Sequence, residues 1–139
     1  MNASPSVAPT VAVLHAATRE GEAALAAAVE EAQHRSLPLV VVATSTGSPD
    51  DRVTAVEEEV LTGRLAEVLP ADLDWRLDLV APGSDPTDSV VEHLESLTPR
   101  LVIVGSRRRS TIGKMILGRS VQRLLLEVSA QILVVKPAR

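Results

Sequence analysis

The residues best suited to chemistry fall in one stretch, GSRRRSTIGKMILGRS, residues 105–120. Gly105 and Gly118 punctuate it, Arg107, Arg108, Arg109 and Lys114 supply cations, and Arg119 and Ser120 follow the last glycine. It is preceded by the apolar run Leu101, Val102, Ile103 and Val104 and followed by Val121, Leu124, Leu125 and Val128. The first run suits a strand covered on both faces, and the second paints one side of a helix. The first backbone amides of a helix have no partners inside it and carry the positive end of its dipole, so they receive anions such as phosphate. Ser110 and Thr111 offer hydroxyls beside the arginines, to take a phosphate or to accept phosphorylation. A solvated basic turn is the plainer reading of Arg107 to Arg109.

Other reactive groups are sparse. His15 ends the first strand, where it is placed to contact a ligand or move a proton, or to stand by as a loop histidine. His34 and His93 lie on helices without a second ligand three or four residues away, so they read as exposed or structural and no metal site is expected. The chain has no cysteine, which removes disulfides, thiol nucleophiles and cysteine metal sites and makes a reducing cytoplasm the expected setting. The segment lacks the lysine and adjoining hydroxyl of a P-loop, and no serine stands in a nucleophile elbow, so efficient hydrolysis is not expected. His15 is the one candidate base for a slow hydrolase.

Composition narrows the partners. A net charge of -4 gives no general affinity for nucleic acid, and Trp75 is the only aromatic among Phe, Trp and Tyr, so base-stacking platforms are missing. No secretory leader is read at the N-terminus, and no apolar run is long enough to span a bilayer, so a soluble protein without nucleic-acid or membrane partners is expected.

Elements that would position the basic stretch can be placed in order. Residues 1–9 read as a flexible tail, and one domain is expected over residues 10–139. A strand beginning near Thr10 and running through Leu14 leads to a helix from Glu20 to about Arg35, capped by Thr18. Pro38 precedes a buried strand, Leu39, Val40, Val41, Val42 and Ala43. Val53, Val56, Val60, Leu61, Leu65 and Val68 then trace the apolar stripe of a second helix. Trp75, Leu77 and Leu79 alternate with Arg76 and Asp78, as in an edge strand with one wet face. Asp85 and Pro86 open a third helix that buries Val90, Val91, Leu94 and Leu97. The last strand, Ile132, Leu133, Val134 and Val135, lies at the other edge, blunted by Lys136 and Pro137. Five strands alternating with four helices predict a single doubly wound α/β domain, a mostly parallel, Rossmann-like sheet with right-handed crossovers. Ligands of such sheets sit beyond the carboxyl ends of the strands, where the winding reverses.

Across nearly the whole chain the pattern resembles the universal stress protein family. The match is best over VIVGSRRRSTIGKMILGRSVQRLLLEVSAQILVVKP, supported by EGEAALAAAVEEA and GSDPTDSVVEHL. The family's motif after strand four is Gly, two residues, Gly, nine residues, Gly, then Ser or Thr, and in nucleotide-binding members it wraps the ribose and phosphates of ATP. The resemblance puts Gly105 and Gly118 at its outer glycines. Arg108 stands in place of the middle glycine, Arg119 in place of the following hydroxyl with Ser120 one place later, and Ala16 where such members usually carry an acid. A side chain at 108 either blocks the close backbone approach or supplies a guanidinium to the phosphate. The resemblance implies a non-catalytic, cytoplasmic stress-response protein, related to the adenine nucleotide alpha hydrolase-like folds. It would bind ATP through Gly105, Arg108, Gly118, Arg119 and Ser120, with magnesium entering only with ATP. It implies a homodimer joined through residues 132–135. The alternative is a nucleotide-free dimeric module that contacts protein partners through its basic loop and last strand.

Overall fold

The computed structural model describes residues 9–107 and 119–137. Along them run β1 (Val11–Leu14), α1 (Arg19–Arg35), β2 (Leu39–Thr44), α2 (Asp51–Val68), β3 (Trp75–Val80), α3 (Pro86–Leu97), β4 (Leu101–Gly105), α4 (Arg119–Glu127) and β5 (Gln131–Val135). Of the expected tail, residues 1–9, residues 1–8 lie outside the described residues and Pro9 is exposed. All four strand pairings are parallel, in the order β3-β2-β1-β4-β5. The two strands predicted at the edges are at the edges.

Each helix begins and ends for a local reason. The Thr18 side chain accepts from the Gly21 amide, Asp50 from Arg52 and Asp85 from Thr87, with Pro86 opening the first turn of α3. An oxygen in this position satisfies an amide that the helix itself leaves without a partner. Ser36 and Thr98 close α1 and α3 at φ 55° and 44°, the left-handed conformation that terminates many helices.

Alternation along the three central strands divides the core in two. Val11, Val13, Leu39, Val41, Leu101 and Ile103 face α1 and α2. Their neighbours Ala12, Val40, Val42, Val102 and Val104 face α3 and α4. A strand buried on both sides needs apolar residues at every position, and these strands have them.

β1 begins at Val11, beside the expected start near Thr10, which is buried just before it and whose carbonyl accepts from the Arg100 amide. In two elements burial departs from the apolar spacing. β3 does not alternate cleanly: Asp78 is half-buried because Arg76 and His93 both bond its carboxylate. The stripe on α2 is mostly uncovered, with Leu65 buried but Val53, Val56, Val60 and Val68 exposed. Among the described residues, no helix is long and apolar enough to cross a membrane.

Candidate functional site

The order of the strands places the reversal of winding between β1 and β4, so a crevice opens beyond their carboxyl ends. Each strand there is prolonged by one bond. The His15 amide donates to the Val42 carbonyl at 2.8 Å, Ser45 to Val80 at 2.8 Å, and Ser106 to Val135 at 2.8 Å.

Gly105, expected to hold phosphate, meets a different neighbour. A Cβ at this position would run into the carbonyl of Glu20, and one at Gly21 would run into the carbonyl of Ala16. The two glycines let the first turn of α1 settle onto the ends of β1 and β4. Ala16 itself is exposed.

On the α3–α4 side of the sheet a cleft of about 210 Å³ opens. Leu14, Val42 and Leu124 give it apolar walls, while His15, Thr44, Thr87 and Ser120 give it polar groups. The Ser120 hydroxyl meets the Thr87 hydroxyl at 3.1 Å, bridging α4 and α3. Arg123 fastens the same seam, donating to Asp85 at 3.2 Å, to Asp88, and to Glu127 at 2.9 Å. These carboxylates, Glu127 and then Asp88, push the already high pKa of Arg123 further up. Arg119 is exposed at the start of α4, and Arg107 is exposed after β4. Arg108 and Gly118 lie outside the described residues, as do Arg109, Ser110, Thr111 and Lys114. Thr44 and Thr87 were missed in the sequence. Their signals were a hydroxyl closing an otherwise apolar strand and a hydroxyl directly after the Asp85-Pro86 helix opening.

His15 borders this cleft and a second, larger cavity on the opposite face of the sheet. Its Nδ1 is closed off from solvent and has no hydrogen-bond partner among the described residues. Burial lowers its pKa below the ordinary value of 6.5, partly offset by the charge of Glu22. The second cavity, about 550 Å³ between α1 and α2, is walled by Leu25, Val29, Leu61 and Leu65, with Glu22 and Arg64 also lining it. Such a volume is typical of small-molecule sites.

His34 is exposed, and His93 Nε2 lies 2.7 Å from Asp78 Oδ2 on the outer strand β3. Burial alone would raise the pKa of Asp78, but the hydrogen bonds from Arg76 and His93 outweigh it and hold the carboxyl below its ordinary value. Among the described residues, no three His, Asp or Glu side chains group as metal ligands would.

A parallel doubly wound sheet with a hydroxyl-lined crevice beside its switch point defines an α/β protein of the Rossmann-like class. The chain belongs to the universal stress protein family, whose model matches residues 9–136. A universal stress protein of Mycolicibacterium smegmatis is 33% identical over 129 residues, covering 91% of this chain and 97% of that one. A universal stress protein structure from Archaeoglobus fulgidus superposes with a TM-score of 0.71 at 23% identity, covering 91% of this chain and 97% of the other. Another from the same organism, in complex with dAMP, superposes at 0.67 and 18% identity, covering 93% and 98%.

Proposed function

We propose that this chain is a cytoplasmic, non-catalytic binding protein that takes an adenine nucleotide, ATP in particular, in the cleft beyond β1 and β2. The observation that carries this reading is the meeting of Thr44, Thr87 and Ser120 on an apolar slot beside the switch point. Leu14 and Val42 offer aliphatic surface to a flat base, and the hydroxyls offer partners for ribose or phosphate oxygens. The dAMP complex of the Archaeoglobus fulgidus relative supports the choice of adenine nucleotide. Gly105, Arg108, Gly118, Arg119 and Ser120 form the phosphate side, with charge from Arg108 or Arg119 replacing backbone contacts of the family motif. No carboxylate lines the cleft among the described residues, so magnesium enters only on the phosphates of ATP.

The protein acts as a homodimer through residues 132–135. β5 pairs only with β4 among the described strands, and Leu133 on it is 37% exposed, so an unpaired edge carries apolar surface. That same edge favours the second reading, a nucleotide-free dimer that contacts proteins.

Calorimetry with ATP and magnesium separates the two. The first reading expects a saturable one-to-one heat that weakens about tenfold in Thr87→Val, which keeps the side-chain shape and removes the hydroxyl. No heat and no thermal shift at saturating ATP would leave the interaction module standing.

A further inference from the structure

The larger cavity lies on the face of the sheet away from the hydroxyl-lined cleft, and the nucleotide reading makes no use of it. Its walls are aliphatic: Leu25 and Leu65 are buried at 8% and 2% exposure, and Val29 and Leu61 pack partly buried beside them. Val68, 67% exposed, extends that surface outward. Three ionisable side chains border it, namely His15, Glu22 and Arg64. The Arg64 side chain makes no hydrogen bond or ion pair among the described residues, and the shielded Nδ1 of His15 has no partner among them either.

We infer that this cavity is a second ligand site, built for a small aliphatic carboxylic acid. The hydrocarbon chain lies against Leu25, Val29, Leu61 and Leu65, and the carboxylate meets the guanidinium of Arg64. An arginine fork offers two parallel N–H donors that match a carboxylate, and it accepts nothing. Arg64 therefore offers its donors to the ligand, while the shielded Nδ1 of His15 stays behind the wall and Glu22, which is exposed, remains hydrated. An aliphatic amine would find only Glu22. A purine would find no polar side chain but these three around its edges, and no aromatic surface, since Trp75 is not in the wall.

Octanoate, kept below its micellar range, is the probe. Calorimetry on the full chain is expected to give one saturable site, with affinity rising about fourfold per methylene from butanoate to octanoate. Arg64→Ala, at an exposed position where folding is not at stake, should weaken octanoate at least tenfold and leave nucleotide affinity unchanged. Leu61→Asp should abolish octanoate binding, with the far-ultraviolet dichroism of each variant confirming the fold. Ala26→Leu, which adds bulk to the lining of the same cavity from an exposed helix position, should also weaken octanoate if Leu61→Asp fails to fold. Octylamine should not bind. The inference is overturned if octanoate gives no saturable heat, if Arg64→Ala binds it as the parent does, or if octylamine binds equally well. Because the nucleotide reading is tested with ATP at Thr87, either site can fail alone.

Discussion

His15 occupies the wall between two cavities, and its surroundings bias its protonation. Burial favours the neutral ring, against the opposing charge of Glu22, so the folded pKa lies below 6.5. The unfolded chain then binds the proton more readily than the native one, and stability falls as pH drops through 6.5 toward the folded value. His15→Gln, which cannot titrate, should flatten that part of the profile. Urea midpoints at pH 7.5 and pH 5.5 check it: the parent should lose more stability than the variant over this interval. Residue-scale legibility was uneven. His15 was visible because a histidine ending an apolar strand must sit at a carboxyl end. Gly105 was visible as a glycine, but its reason was not, because the Glu20 carbonyl that demands it belongs to a distant part of the chain. Ser120 was visible beside the last glycine, but its partner, Thr87, is supplied by tertiary packing.

At the level of elements, α2 shows what a periodic stripe does and does not specify. Spacing correctly gave a helix with an apolar side, yet only Leu65 of that side is deeply buried, while Val53, Val56 and Val60 are 47%, 58% and 48% exposed. The helix leads from β2 to the outer strand β3, so little sheet is left beneath it to cover the full stripe. Leu65→Ala should therefore destabilise the protein by about 2–5 kcal/mol. Val56→Ala should stay within about 0.5 kcal/mol. Chemical denaturation of the two variants measures the contrast, and equal losses would mean that the stripe is buried after all. β1, β2 and β4 were legible because their burial is nearly complete, and α3 because its buried residues, Val90, Val91, Leu94 and Leu97, recur at helical spacing. Strand order was not, because parallel neighbours are chosen by contacts far apart along the chain.

Assembly and synthesis are properties of the whole molecule. If β5 joins two copies, Leu133→Asp should raise the dimer dissociation constant at least tenfold, because it puts a charge on the apolar edge of the junction. Sedimentation at several concentrations measures this, and a variant as dimeric as the parent would move the junction elsewhere. The centre of the sheet carries another consequence. Val13 aligns with Val41 on one side and with Ile103 on the other, so the strand made first is flanked by one made soon after and one made much later. A ribosome that has translated only as far as α3 holds a nascent chain whose innermost strand lacks half its partners. Until β4 emerges, that side remains open to the wrong neighbour, and a pause in translation before residue 101 would lengthen the exposure.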